Sequence, residues 1–161
     1  MRSTNLLPIL LLASSTGCGL AATTTSTFSV QLTITASCVI SSASAMNFGN
    51  SGVIASAINQ TSTIQVQCTN TTPYNIGLNA GTATGATVTT RKMTNGANAI
   101  SYSLFSNAGM TTNWGQTVGT DTVSATGNGA AQSFTVYGQV PAQSTPTPGA
   151  YFDTITITVT Y

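Results

Sequence analysis

In the stretch YFDTITITVTY (151–161), apolar and hydroxyl side chains alternate. Ile155, Ile157, Val159 and Tyr161 stand on one face, Thr154, Thr156, Thr158 and Thr160 on the other. A period of two predicts a strand buried on one face. The same period runs through TFSVQLTITASC (27–38), where Phe28, Val30, Leu32 and Ile34 face away from Ser29, Gln31, Thr33 and Thr35. Between these segments the pattern predicts strands at 62–68, 74–79, 86–93, 99–105 and 132–140. Turn signals separate them: FGNSG, NTTP, NAGTATG, TNGAN, SNAG and TGNG. VPAQSTPTPGAY (140–151) is too rich in proline to be anything but a loop. SGVIASAIN (51–59) reads as a short helix or as an irregular edge. Short strands without a helical period predict an all-β sandwich or barrel. Ends of chains usually fray, so a well-patterned strand at 154–161 needs a neighbour that the local sequence does not supply.

Composition sharpens this picture. Charged residues make up 3% of the 161 positions and apolar residues 41%. A typical soluble domain carries about a quarter charged residues, yet disorder goes with low hydrophobicity, which this chain lacks. The chain therefore folds, and it takes its polarity from Thr, Ser, Asn and Gln. The length suits one domain with a real core.

The N-terminal stretch reads as an export signal. Arg2 supplies a positive start, Leu6 to Ala13 an apolar run too short to cross a bilayer, and Gly19 and Ala21 the small residues of a cleavage site. The expected signal peptide is 1–21. A rival is lipidation at Cys18, although Ser15 stands where such signals usually carry Leu. Removal of 1–21 leaves Arg91 and Lys92 against Asp121 and Asp153, a formal charge of zero. No basic patch remains for nucleic acid. Two cysteines also remain, Cys38 and Cys68, and in an oxidising compartment one disulfide is their simplest fate; two buried free thiols are the alternative.

The inventory of reactive groups argues against an enzyme. There is no His and no Glu, so Ser-His-Asp and Cys-His arrangements cannot be built. Asp121 lies in the turn-like VGTDTVS and Asp153 at the start of the last strand, where a short acceptor bonds local backbone. No metal set survives if Cys38 pairs with Cys68, and the Gly-rich turns lack the Lys and helix of a phosphate cradle. No cofactor is expected. Asn59-Gln60-Thr61 and Asn70-Thr71-Thr72 fit a glycosylation pattern that a Thr- and Asn-rich chain produces by chance.

SCVISSASAMNFG (37–49), TIQVQCTNTTPYNIGLNAG (63–81), then RKM, ISYSLF, WGQTVG and the ending YFDTITITVTY occur in an order that resembles the spore coat protein U domain family. That family includes shaft subunits of archaic chaperone–usher pili. The resemblance covers 28–161. It implies an incomplete immunoglobulin-like β-sandwich lacking its last strand, with a groove beside the C-terminal strand. A periplasmic chaperone fills such a groove during export, and the N-terminal segment of the next subunit fills it in the fibre. The implied organisation is a signal peptide (1–21), an N-terminal extension with the donor strand (22–35) and the pilin domain (36–161). Phe28, Val30, Leu32 and Ile34 are the expected donor residues, and Ile155, Ile157, Val159 and Tyr161 the acceptor edge. The implied partners are further copies of the chain in a head-to-tail fibre, a periplasmic chaperone, an outer-membrane usher and a tip adhesin, with no nucleic acid. The alternatives are a secreted adhesin or carbohydrate-binding sandwich, in which Trp114 with Tyr102 or Tyr137 stacks on a sugar, and a coat protein using the same domain.

Histidine is the side chain that ordinarily changes charge near neutrality, and the chain has none. Assembled material is therefore expected to keep its form between about pH 5 and 8. Turbidity or electron microscopy across that range checks this, and a sharp loss of assembly would place the switch in a partner.

Overall fold

A computed structural model describes residues 19–161, so the expected signal peptide falls almost wholly outside the described residues. The chain divides into two units, 1–33 and 34–161. In the first, residues 19–33 form no strand, and Phe28, Val30 and Leu32 are 88%, 86% and 83% exposed. The alternating apolar residues of 28–32 are thus uncovered within this unit.

The second unit is all-β, and no helix occurs among the described residues. Its strands are β1 (Cys38–Ala43), β2 (Ile58–Cys68), β3 (Pro73–Leu78), β4 (Arg91–Asn95), β5 (Asn98–Phe105), β6 (Val123–Thr126), β7 (Ala131–Val140) and β8 (Ile157–Thr160). One sheet has the order β1-β2-β7-β5-β4, the other β6-β3-β8. All pairings are antiparallel. Period-two patterning decides which side chains enter the core between the sheets. Ile64, Val66 and Cys68 of β2, Val136 and Val140 of β7, and Tyr102 and Leu104 of β5 are buried, as are Tyr74, Ile76 and Leu78 of β3. Gln65 and Gln67 of β2 and Ser133 and Thr135 of β7 take the opposite face. Trp114 is also buried, its indole N–H donating to the Ile76 carbonyl at 2.8 Å.

Two glycines have specific reasons to be glycine. The β4–β5 hairpin turns through two residues, with Gly96 at φ 58° in the left-handed region. At Gly138 a Cβ would run into the Met46 sulfur and press on Phe48. The segment after β1 therefore packs directly on the backbone of β7.

Several expected boundaries shift. The stretch 86–93 is strand only from Arg91, because Thr87 and Thr90 close a turn on each other ahead of it. The terminal strand is confined to Ile157–Thr160; an isolated backbone bridge between Thr94 and Phe152, the Asn79–Thr156 bond and side-chain bonds hold the residues before it. VGTDTVS is a turn only as far as Asp121, after which β6 begins. Cys38 opens a strand that the pattern did not predict, and 51–57 bends irregularly before β2 starts at Ile58.

Cys38 and Cys68 stand directly opposite each other on β1 and β2 and form a disulfide, 30 residues apart in sequence. β1 is an edge strand, so this bond fastens a wall that pairs on one side only. A C38S/C68S double variant is expected to lose about 3–4 kcal/mol in the chain-entropy picture, read as a lower urea midpoint, with a steeper slope because the unfolded chain is no longer cross-linked.

Candidate functional site: an open groove beside the last strand

β8 pairs with β3 alone, through Ile157↔Leu78, Val159↔Ile76 and Thr160↔Asn75. The Asn79 amide donates to the Thr156 carbonyl at 3.1 Å, and the Thr156 amide to Asn79 Oδ1 at 2.9 Å. Backbone groups of alternate residues point to opposite sides of a strand. Thr156, Thr158 and Thr160 therefore face β3, while Ile155, Ile157, Val159 and Tyr161 present their N–H and C=O groups to the open side. No described strand pairs with them there. The side chains of Ile155, Ile157 and Val159 are half-buried against the core, and Tyr161 is 60% exposed.

Beside this edge the core itself is open. A groove of about 1190 Å³ runs between the five-stranded sheet and the segment 145–157, with 43–54 at its other margin. Ile64, Val136, Leu104, Tyr102, Ile100 and Met93 form its floor, and Met46, Phe48 and Ile54 line it further out. These are side chains of the hydrophobic core or packed against it. Edge strands of ordinary proteins carry Lys, Pro or inward charges that deter pairing, and 154–161 has none of these.

One end of the groove is held by polar groups. Asp153 accepts from the Tyr102 hydroxyl at 2.7 Å, from the Thr82 amide and hydroxyl at 2.8 and 3.0 Å, and from the Thr154 amide at 2.8 Å. Behind it Arg91 is fully buried. Its guanidinium donates to the carbonyls of Asn79 (2.8 Å), Val88 (2.7 Å), Leu78 (2.9 Å) and Trp114 (2.7 Å). Burial lowers the Arg91 pKa from its ordinary value, and the charges of Tyr102, Asp153 and Asp121 oppose that shift. Arg91 and Lys92 had looked alike in the sequence; only the fold distinguishes a buried clamp from a cation at the surface of the edge strand.

Two of the aromatics considered for sugar stacking are core residues: Trp114 is 1% exposed and Tyr102 4%. Tyr137 is half-buried on the outer face of β7. Asp121 accepts from the Thr117 amide at 2.6 Å and closes a turn. Ile34, the first residue of the second unit, is 71% exposed. It joins Phe28, Val30 and Leu32 as a row of exposed apolar residues at strand spacing. Sequence reasoning missed Arg91 and Asn79 as organisers of the site, and also the groove floor. Nothing local marks them except apolar residues at Met93 and Ile100 on a chain otherwise rich in hydroxyls.

These features define an all-β sandwich with one long edge left open to a further strand. Residues 24–158 match the Spore Coat Protein U domain, and the chain belongs to that family. The fold is also similar to a chain in the crystal structure of the CsuC–CsuE chaperone–tip adhesion subunit pre-assembly complex from archaic chaperone–usher Csu pili of Acinetobacter baumannii. The TM-score is 0.58 at 24% identity, and the match covers 80% of this chain and 40% of that one. This chain thus spans about two fifths of the length of the solved chain it matches. No curated protein matches it.

Burial first, then the hydrogen bond to Asp153 and its charge, raises the Tyr102 pKa far above its ordinary value of 10.0; burial raises that of Tyr74 as well. A folded-state pKa above the unfolded one contributes stability that is complete below the unfolded pKa and fades as pH climbs through the folded one. Unfolding free energy is therefore expected to fall above about pH 10, where unfolded tyrosine ionises. Urea titrations at neutral and alkaline pH check this, with Y102F showing a shallower alkaline decline.

Proposed function

We propose that this chain is a structural subunit of a surface pilus assembled by the chaperone–usher pathway, with the groove beside β8 accepting residues 28–34 of another copy. The observation that carries the reading is the unfilled apolar groove with its unpaired edge. The exposed row Phe28, Val30, Leu32 and Ile34 supplies an occupant of matching period. The open-edge residues, 155 to 161, and the donor row, 28 to 34, each span six residue steps, about 20 Å of strand. Seating the four apolar side chains contributes roughly 6–12 kcal/mol before ordering costs. Ladder bonds of the β-augmentation kind fix the register.

Family membership and the fold shared with the Csu structure support the same reading. The donor row and the groove are different surfaces, so the contact is head-to-tail and builds an open filament. A periplasmic chaperone covers the groove before assembly, an outer-membrane usher passes subunits outward, and a tip adhesin ends the fibre. This chain serves in the shaft. It leaves the cell through the periplasm, and its fibres support adhesion and biofilm formation at the cell surface.

Replacing Leu32 or Ile34 by Asp puts a charge into an apolar groove. Fibres are expected to disappear while chaperone-bound subunit persists, scored by electron microscopy and co-purification. Joining a copy of residues 23–35 after Tyr161 through a flexible linker is expected to give a stable monomer. Normal fibres from the Asp variants, together with no stability gain in the fusion, overturn the assignment.

A further inference from the structure

We infer that Asn79 and Asp153 are positioning residues that hold the open edge of β8 in its pairing-competent form before any donor arrives. This deepens the reading of the groove as an acceptor site and rests on it. The ladder between β8 and β3 is only four residues long, and β8 has no second neighbour in its sheet. Upstream, a backbone bridge ties Phe152 to Thr94 of β4, and between that bridge and β8 two sets of bonds, centred on Asp153 and on Asn79, extend the hold. Asp153 gathers Tyr102 from the floor of the groove, Thr82 from the loop after β3, and the amide of Thr154. Asn79 bonds Thr156 through its amide and through Oδ1, which also accepts from the Gly81 amide at 3.1 Å. The carbonyl of Asn79 is in turn fixed by Arg91 Nε at 2.8 Å, from a side chain with no exposed surface.

The hold therefore reaches from a buried cation to the backbone of the residue before β8. None of its bonds uses the open-side N–H and C=O groups of Ile155, Ile157 or Val159. The side chains that fix the edge leave its pairing groups free. An edge already ordered spares an incoming strand the entropy of ordering its partner, so the effect falls on the rate of capture more than on the lifetime of the filled state.

The test uses the full chain carrying L32D to keep it unassembled, with N79A, N79D or Y102F added. N79A removes the Oδ1 acceptor and N79D keeps one; Y102F removes a single oxygen and keeps the ring. Hydrogen exchange is followed at the amides of Thr156, Thr158 and Thr160, and capture of a synthetic peptide of residues 23–35 is timed. In N79A and Y102F, exchange at these amides is expected to rise and peptide association to slow, each by about tenfold, the worth of one hydrogen bond. Amides of β2 and β7 and the peptide off-rate are expected to change less than about twofold, and N79D restores both readouts. Exchange at 156–160 that stays at the parent rate, or that rises together with β2 and β7, overturns the inference. Should the L32D parent capture no peptide, the acceptor reading of the groove falls, while the exchange arm still decides whether the edge is held. Y102F carries both arms if N79A fails to fold.

Discussion

The structure turns on the unpaired side of β8. A strand needs partners for its backbone groups and a cover for its apolar face, and β8 obtains these from β3 and from only part of the core. Ile155, Ile157 and Val159 are half-buried where sandwich residues at such positions are usually enclosed. The same three residues turn their N–H and C=O groups to the open side. The apolar deficit and the hydrogen-bonding deficit thus fall on one line. A single extended segment with apolar side chains at every second residue satisfies both, and neither a helix nor a small ligand does so.

Leaving a core open is costly for a domain of this size, and the chain offsets the cost in ways that keep the groove accessible. The disulfide secures β1 to β2 on one side of the opening. Arg91 secures the other end, with four donor bonds to carbonyls of the β3 end, the loop before β4 and Trp114. A buried guanidinium without a direct carboxylate partner is unfavourable unless its donors are satisfied. Here the charge-assisted bonds satisfy them and cross-link three chain segments.

Much of the fold was legible because period two is a direct consequence of strand geometry. β3, β5 and β7 lie where alternation and turn residues put them, to within a residue, whereas β2 begins four residues ahead of the expected 62–68. β1 was hidden because its residues are mostly exposed, and β6 because its four residues sit behind a turn built on Asp121. The stretch 86–93 misled because Thr and Val favour strands, while Thr87 and Thr90 instead bond each other across a turn. The apolar rows at 28–34 and 155–161 were plain in the sequence, but their exposure was not; alternation says that a face is to be buried without saying by which molecule. The roles of Arg91 and Asn79 were illegible for a different reason. Their partners are backbone carbonyls and amides, which carry no residue-type signal.

The sparse charge of the chain is consistent with the acceptor role proposed for the groove. Among the residues lining it only Asp153 carries a carboxylate, and it already accepts from Tyr102, Thr82 and Thr154. A strand entering the groove therefore meets apolar surface and backbone dipoles, with no free charge to desolvate. Salt screens interactions between exposed charges, whereas burial of apolar area and a buried ladder are largely indifferent to it. A joint of the proposed kind is therefore expected to be insensitive to ionic strength. The specificity that charge would have provided must then come from register, from the match between side chains at every second position and the depth of the groove beneath them.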